Sequence, residues 1–280
     1  MLGLEDLEVG LLFGAAADAH KTLEHAKSFG VRAGQLAFAG DLPLEGLAKS
    51  WDAALTAEKF AVVSAVCAYE GENYADVPTV LNTVGLVPEK TRAERLARTK
   101  AVSDLARILG IERVACHIGF VPEDAEERLY SDVRDVTREI CDYCAKNGQQ
   151  FALETGQEPA KVLLRFIEDV KRPNLKINFD PANMILYGTG DPIEALDVLQ
   201  EHVVTVHCKD GDWPDRDKPE ALGVEKALGE GSVGMERYIQ KLKEIGYRGV
   251  LTIEREEPDI QKRETDIRKA VKLLKKITKK

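Results

Sequence analysis

The chain has 280 residues, of which 44% are hydrophobic and 31% charged, and its formal net charge is −9. This composition is typical of a globular protein with one large core, and we predict one domain over residues 1–280. The negative charge argues against a nucleic-acid or anionic membrane surface. No apolar run reaches the roughly 20 residues of a membrane span, and no basic segment precedes an apolar core at the start. We therefore expect a cytoplasmic protein without a membrane or nucleic-acid partner.

Short apolar runs alternate along the chain with segments of helical periodicity, which predicts eight strand–helix units. The predicted strands are residues 8–14, 33–40, 60–70, 113–120, 150–156, 175–183, 203–210 and 247–256. The predicted helices are residues 18–30, 44–59, 92–109, 125–146, 159–172, 191–202, 234–246 and 259–280.

The alternation of strands and helices implies a parallel sheet. Most of the strands are near-continuous apolar runs, as expected when both faces of a sheet are buried. The Gly-rich dinucleotide motif GxGxxG is absent. Eight such units in one chain favour a closed (β/α)8 TIM barrel over an open doubly wound sheet.

Four acidic or imidazole side chains stand at the C-terminal ends of the last four predicted strands: Glu154, Asp180, His207 and Glu254. The first two intervals are 26 and 27 residues, and the third is 47 because a long loop, residues 211–232, is inserted. In a closed parallel barrel these strand ends meet at one rim. Three carboxylates would repel one another there without a cation. The pattern therefore predicts a site for one hard divalent ion such as Mn²⁺ or Mg²⁺.

Other polar residues are predicted to reach the same rim. His117 ends the fourth strand, and alternation places Lys209 on the same side as His207. Both are candidates for binding a substrate oxygen, although backbone hydrogen bonding of His117 or a salt bridge from Lys209 to Asp210 would also account for them. Glu158 follows the fifth strand and either contacts substrate or caps the next helix. The long loop is predicted to be a lid, with Trp213 as a wall against substrate.

The segments LETGQE, NFDPANMILYG, VHCKD and GYRGVLTIERE resemble the sugar phosphate isomerase/epimerase superfamily, which has the xylose isomerase-like TIM barrel. The resemblance implies that Glu154, Asp180, His207 and Glu254 bind one divalent ion, most commonly Mn²⁺, with Mg²⁺, Co²⁺ and Zn²⁺ as alternatives. It also implies that Glu154 and Glu254 are catalytic and move protons, and that the chain forms a homo-oligomer.

Two positions depart from the pattern of the ketose 3-epimerases in this superfamily. Asn183 stands where they usually have a substrate-binding histidine, and Trp213 stands where they usually have an arginine. Both departures favour a different polyol-like or keto-sugar substrate.

The resemblance implies an isomerase or epimerase of a sugar or sugar-like polyol, which removes a proton next to a carbonyl through an enediolate intermediate. The enzyme alternative is a dehydratase or lyase acting on a keto-sugar, an inosose or a 3-keto-glycoside, with the isomerase class favoured over the lyase class. A remote alternative is a DNA repair nuclease like endonuclease IV. That chemistry needs a zinc cluster and more histidines than the five in this chain provide at the rim. We expect a non-phosphorylated carbohydrate as the substrate.

Overall fold

The protein is described by a computed structural model, which covers residues 4–218 and 220–279. Residues 1–3, Pro219 and Lys280 lie outside the described residues, so the predicted lid and the last predicted helix are described without Pro219 and Lys280 respectively.

Eight parallel strands in residues 4–218 and 220–279 form a closed barrel, which confirms the predicted (β/α)8 TIM-barrel fold. We number the strands along the chain. Around the barrel, neighbouring strands follow the order β1, β10, β7, β6, β5, β4, β3, β2. The strands β8 and β9 lie outside the barrel and form an antiparallel pair. The strands are β1 (Val9–Gly14), β2 (Ala33–Phe38), β3 (Ala61–Cys67), β4 (Arg113–Cys116), β5 (Gln150–Glu154), β6 (Leu175–Phe179), β7 (Val203–Cys208), β8 (Asp210–Asp212), β9 (Val224–Lys226) and β10 (Leu251–Ile253).

Helices connect successive barrel strands. No helix within the described ranges is long and apolar enough to cross a lipid bilayer. The helices are α1 (Ala19–Lys27), α2 (Leu47–Glu58), α3 (Val77–Thr83), α4 (Glu89–Ile108), α5 (Arg128–Lys146), α6 (Ala160–Val170), α7 (Pro181–Leu186), α8 (Pro192–Leu199), α9 (Met235–Glu244) and α10 (Ile260–Thr278), with a 3₁₀ turn at Gln200–His202.

The main core lies between the barrel and its helices. In α6 the buried side chains include Leu163, Phe166 and Val170, whose spacing of three and four residues places them on one helix face. Outward residues of the strands meet such faces, as where Phe179 stacks on Tyr238 of α9 with ring centroids 6.1 Å apart. Each large apolar side chain buried in this way contributes about 1.5–3 kcal/mol. The packing makes the strand ends a rigid support for side chains at the rim.

Two short helices were not predicted, although their start signals are present in the sequence. Asp76 caps α3 by accepting a hydrogen bond from the Thr79 amide at 2.8 Å. Asp180 caps α7 in the same way, with the Asn183 amide at 2.9 Å. Each helix also has a proline in its first turn, which fits the fixed backbone angle needed there. With only seven and six residues, both are too short to show a helical hydrophobic period.

The long loop after β7 contains an antiparallel ribbon, β8 paired with β9, that was also not predicted. The Asp210 carboxylate anchors the ribbon by accepting hydrogen bonds from the amides of Gly211, Gly229 and Val233 at 2.9–3.1 Å. Gly231 packs so closely on this carboxylate that an added Cβ would lie 2.4 Å from Asp210 Oδ1. The ribbon strands have only three residues each, which is too short for an alternating pattern to be visible in sequence.

Candidate metal centre and cavity

The four predicted rim residues come together in the structure. One ligand atom from each of Glu154, Asp180, His207 and Glu254 lies within 4.8 Å of the others. His207 Nδ1 is 2.7 Å from Glu254 Oε2, 3.3 Å from Asp180 Oδ2 and 3.4 Å from Glu154 Oε1. Three carboxylate oxygens and one imidazole nitrogen are the donor set that hard divalent ions prefer. Glu254 Oε2 is buried and accepts no hydrogen bond of acceptable geometry, although His207 Nδ1 lies 2.7 Å away, so this oxygen is available to a cation. The residues therefore fit a divalent metal ion.

The barrel strands place these side chains side by side. Glu154 ends β5 and pairs in register with Asn178 of β6, two residues before Asp180. His207 of β7 pairs with Thr252 of β10, two residues before Glu254. Both oxygens of the Asp180 carboxylate have defined neighbours: Oδ1 accepts the hydrogen bond that caps α7, and Oδ2 faces His207. The helix cap and the metal-ligand arrangement therefore use different oxygens of the same carboxylate.

The electrostatics of the site reflect a local excess of negative charge. Burial favours the neutral form of His117, but the nearby Glu154 carboxylate outweighs this effect and raises its pKa to about 9. Burial likewise opposes ionisation of Glu154, yet the positive charges of His117 and His207 hold its pKa well below the usual value. Protonated imidazoles thus supply the positive charge that the carboxylates require, which is the role a metal ion would take over.

A buried polar layer supports the metal centre from inside the barrel. His207 Nε2 lies 3.3 Å from Gln35 Oε1, on the side of the ring opposite the carboxylates. Gln35 Nε2 donates to Asn178 Oδ1 at 3.1 Å, and Thr205 Oγ1 donates to the same oxygen at 2.8 Å. Asn178 Nδ2 in turn donates to Glu154 Oε2 at 3.3 Å. His207 Nε2 also lies 3.1 Å from the donor Asn178 Nδ2, so Gln35 Oε1 is the acceptor of its two amide neighbours. Gln35 therefore favours the tautomer that carries its proton on Nε2 and leaves Nδ1 free to bind a metal.

The metal centre lies at the edge of a cavity of about 710 Å³ at the C-terminal ends of the barrel strands. Residues 220–223 of the long loop line this cavity, as does the segment before α3. The two segments meet where the Val77 amide donates to the Glu220 carbonyl at 3.0 Å. The predicted lid segment therefore lies over the site, and its ability to open and close stays a prediction. The carboxylates that line the cavity are Glu72, Asp76, Glu154, Glu220, Glu225, Glu254 and Glu256.

Three of the predicted substrate-binding residues line the cavity beside the metal centre. His117 Nε2 is 3.2 Å from Glu154 Oε1. Asn183 Nδ2 donates to the same Glu154 oxygen at 3.2 Å, so its amide orients a proposed metal ligand. Lys209 Nζ lies 3.4 Å from Glu254 and 2.6 Å from Glu256, rather than pairing with Asp210. All three can contact a molecule in the cavity.

The other two predicted substrate-binding residues lie elsewhere. Glu158 is buried outside the cavity lining and accepts a hydrogen bond from the Val121 amide at 2.8 Å. It does not cap α6 either, since no side chain caps that helix. Trp213 is 45% exposed and borders a separate surface depression with Pro214 and Arg216. The chain turns away from the cavity after β8, so the structure gives no support to substrate contact by Trp213 or Glu158.

Several residues near the centre were not predicted. Gln35 is the polar residue of the otherwise apolar run AGQLAF, and that exception was the signal available in the sequence. Tyr187 lines the cavity just after α7, and its hydroxyl accepts a hydrogen bond from Gln157 at 3.4 Å. Tyr74 lies 5.6 Å from the His117 ring, in an irregular loop that gives no periodic signal.

Comparison with known proteins supports the same fold. The chain is 29% identical over 160 residues to an uncharacterized protein of Methanocaldococcus jannaschii, a match that covers 52% of this chain. It spans about half the length of that curated relative, 51%. The solved xylose isomerase domain protein from Planctomyces limnophilus is 44% identical, with a TM-score of 0.91 and 98% of each chain covered.

More distant solved structures share the fold. A D-tagatose 3-epimerase-like protein is 19% identical with a TM-score of 0.72 and 97% of each chain covered. The probable 3-DHS dehydratase AsbF from Bacillus anthracis is 16% identical with a TM-score of 0.67, and the match covers 95% of this chain and 99% of that one. Residues 23–277 match the family described as the xylose isomerase-like TIM barrel. The closed barrel and the match over most of the sequence show that the chain belongs to the xylose isomerase-like TIM barrel family.

Proposed function

We propose that this protein is a divalent-metal-dependent isomerase or epimerase of a sugar or sugar-like polyol. The observation that carries the proposal is the cluster of Glu154, Asp180, His207 and Glu254 at the edge of a cavity large enough for a small molecule. The 3-epimerase-like neighbour supports it at the level of the fold. The chemistry of this class is removal of a proton next to a carbonyl and its return to a neighbouring position or the opposite face.

The four clustered side chains would hold one divalent ion, with Mn²⁺ the expected ion and Mg²⁺, Co²⁺ and Zn²⁺ as alternatives. A bound ion supplies Lewis-acid polarisation of the substrate carbonyl and stabilises negative charge on its oxygen. The donor set, with one nitrogen and oxygens for the rest, supports a hard ion over one that prefers thiolates.

The chain's own residues would carry the protons. Glu154 and Glu254 are the proposed base and acid, and substrate stereochemistry decides which one acts first. Asn183 fixes the Glu154 carboxylate, and His117 lies beside the same Oε1 atom. Lys209, held by Glu254 and Glu256, places a buried positive charge where substrate oxygens would lie. The segment 220–223 would exclude water from the reacting carbon.

A dehydratase or lyase acting on a keto-sugar, inosose or 3-keto-glycoside is the second candidate. It shares proton removal next to a carbonyl and then expels a group from the neighbouring carbon. Asn183 in place of the histidine usual in ketose 3-epimerases argues against a strict ketose 3-epimerase and favours a different polyol-like or keto-sugar substrate. The dehydratase among the structural neighbours supports the second candidate at the level of the fold. A repair nuclease is not favoured, because a zinc cluster needs more ligands than these four side chains provide. The proposed partners are small carbohydrates, and assembly into a homo-oligomer stays a prediction.

A substrate screen tests the proposal and separates its two forms. Ketoses, inososes and 3-keto-glycosides are incubated with purified protein in Mn²⁺ or in EDTA, and products are read by mass spectrometry. We expect conversion in Mn²⁺ that EDTA abolishes and that leaves the mass unchanged. Loss of water or of an aglycone would instead establish the second candidate, and conversion unaffected by EDTA would contradict metal dependence.

A further inference from the structure

We infer that the substrate has two parts, a hydroxylated keto-sugar held at the metal centre and an uncharged apolar substituent held against the opposite half of the barrel rim. This inference rests on the proposed function, and it specifies the substrate class of the same cavity. Its basis is the distribution of polar and apolar residues around the cavity, together with the charge of the cavity.

The cavity wall is polar on one side and apolar on the other. The strands β5, β6, β7 and β10 end in the metal-binding side chains. The strands β1, β2 and β3 instead contribute Leu12, Ala37 and Val66, and Ala68 follows at the end of β3, before Glu72 and Asp76 of the next loop. A sugar hydroxyl placed against these side chains would lose its hydrogen bonds to water without gaining a partner, which costs about 1–3 kcal/mol. This half of the cavity, which we call the apolar half, therefore suits a substituent without hydroxyl groups.

The loops around the cavity add further apolar groups. Leu186 at the end of α7 and Leu222 of the long loop both line the cavity. They belong to segments joined by a hydrogen bond from the Gly223 amide to the Leu186 carbonyl at 2.8 Å. Tyr74, 40% exposed, also borders the cavity and offers an aromatic face to a ligand. Apolar groups therefore line the cavity from the loops as well as from β1 to β3.

The size of the cavity exceeds what a single sugar ring requires. Its volume of about 710 Å³ lies well within the range of roughly 300–1,000 Å³ that proteins use for drug-sized ligands. A monosaccharide at the metal centre would leave the apolar half filled only by water, and water there has few polar partners. A substituent that fills this space would release that water and add favourable burial.

The charge of the cavity disfavours an anionic substituent. Among the residues that the structure describes, seven acidic residues line it, against one lysine and one histidine. Lys209 already lies 2.6 Å from Glu256, and His117 lies beside Glu154. Arg255 follows the same strand as Glu254 but is directed outward, where it pairs with Glu225, Glu257 and Asp266 at 2.9–3.1 Å. A phosphate or carboxylate on the substrate would face carboxylates without a free cation, even with one divalent ion bound.

A binding experiment tests the apolar half without depending on turnover. Isothermal titration of the Mn²⁺-loaded protein compares phenyl β-D-glucoside, methyl β-D-glucoside and glucose 6-phosphate, none of which carries the ketone. We expect the phenyl glucoside to bind at least tenfold more tightly than the methyl glucoside, and the phosphate to bind most weakly. Equal affinity for the two glucosides, or tightest binding of the phosphate, would overturn the inference.

Substitutions test whether the preference for the phenyl glucoside arises in the apolar half. Ala68→Leu and Ala37→Leu each fill part of it, and we expect either change to reduce the preference for the phenyl glucoside at least fivefold. Leu81→Phe enlarges an exposed side chain of α3 outside the cavity lining and should keep the preference. Thermal melting shows whether each variant folds. Because two variants fill the apolar half, the test remains possible if one of them does not fold. Preference unchanged in a folded filling variant would contradict the inference.

Turnover separates failure of this inference from failure of the proposed function. Deuterium uptake from D₂O is measured for 3-keto-glucose and for its phenyl glycoside. Faster uptake into the phenyl glycoside supports both claims, and equal or faster uptake into free 3-keto-glucose overturns the two-part substrate while leaving the proposed chemistry intact. No uptake into either, with phenyl-selective binding retained, supports the apolar half and contradicts the proton-transfer chemistry.

Discussion

Gln35 lies at the bottom of the site, next to the imidazole of His207, a proposed metal ligand. His207 has its Nδ1 among three carboxylates and its Nε2 beside the Gln35 amide oxygen. Nε2 also lies 3.1 Å from the amide nitrogen of Asn178, so Gln35 is the neighbour that can accept a proton from Nε2 and leave the Nδ1 lone pair for an ion. Gln35 is therefore a positioning residue that acts through His207.

Gln35→Leu should weaken Mn²⁺ binding about 10- to 100-fold, because the acceptor that orients His207 is lost. The affinity is measured by isothermal titration, which does not depend on turnover. Gln149→Leu is a matched control, since Gln149 is also buried and hydrogen bonded but lies beside Ser103 and Ile111, outside the network that reaches His207. Equal Mn²⁺ affinities for the two variants would show that Gln35 does not position the imidazole.

Glu158 gives a prediction about pH that is separate from the metal ligands. Burial raises its pKa to about 7, and its Oε2 has no hydrogen-bond partner. A carboxyl whose pKa is higher in the folded state than in the unfolded state binds its proton more tightly when folded. Its contribution to stability is therefore present in full at low pH and is lost as pH rises from about 4.5 through about 7.

Glu158→Gln should remove this pH-dependent loss, because the amide resembles the protonated carboxyl and does not ionise. The free energy of unfolding of the unmodified protein relative to the variant should fall by up to about 3 kcal/mol between pH 4.5 and 7.5. Urea denaturation at several pH values measures the difference. A difference that stays constant with pH would mean that folding does not raise the pKa of Glu158.

The position of a side chain relative to the cavity can be predicted from sequence when a strand or helix fixes its direction. His117 and Lys209 directly follow barrel strands, and Asn183 lies in the first turn of α7, which the Asp180 cap fixes; all three were expected near the cavity, where the structure places them. Glu158 and Trp213 lie four and five residues beyond the barrel strands β5 and β7, outside any helix, where strand alternation no longer fixes the direction of a side chain. Hydrogen bonding to Val121 holds Glu158 away from the cavity, and no sequence pattern announces that contact.

At the scale of elements, the β8–β9 ribbon fixes the loop that covers the site. Its anchor is Asp210, which follows the proposed substrate-binding Lys209 and accepts three backbone hydrogen bonds. Without this carboxylate the amides of Gly211, Gly229 and Val233 would lose their partner. These contacts add to the pairing of β8 with β9, in which each strand has only three residues.

Asp210→Ala should loosen the loop while leaving the barrel folded. We expect faster amide hydrogen exchange in residues 211–233 and a fall of about tenfold or more in kcat/KM, with exchange in β1 to β6 unchanged. Asp215→Ala is the control, because Asp215 is an exposed residue of the same loop that bonds only locally. Unchanged exchange in the loop of Asp210→Ala would contradict the anchoring role.

Long elements were predictable and short ones were not. The alternation of apolar runs with helical periods indicated eight strands and the helices that follow them, because each element buries a repeated face. The helices α3 and α7 and the strands of the ribbon have three to seven residues, and they depend on caps and contacts from other parts of the fold. Asp76 and Pro78 gave a start signal for α3, but no periodic face followed it.

At the scale of the molecule, closure of the barrel brings the proposed metal ligands together. They come from β5, β7, the end of β6 and the end of β10, over a span of 101 positions from residue 154 to residue 254 counted inclusively. Sequence spacing predicted this assembly because successive strand–helix units place equivalent residues side by side. The shape and apolar half of the cavity depend on loops that cross the rim, so they required the structure.

A metal that binds only the folded barrel should stabilise the whole molecule. Mn²⁺ at about 100 times its dissociation constant should add about 2.7 kcal/mol to the free energy of unfolding, seen as a rise of several degrees in Tm. EDTA should reverse the rise, and Asp180→Ala should abolish it. Differential scanning calorimetry measures these effects, and an equal rise in Asp180→Ala would mean that the ion binds elsewhere.

The central claim is that Glu154 and Glu254 move a substrate proton at a metal centre. Its most direct test is deuterium incorporation next to the carbonyl, measured by mass spectrometry for a substrate found in the screen, in D₂O with Mn²⁺. We predict incorporation by the unmodified protein and a loss of about 10²- to 10⁴-fold in Glu154→Gln and Glu254→Gln, with both variants folded. Conversion without deuterium uptake, or uptake at the original rate in both variants, would contradict the claim.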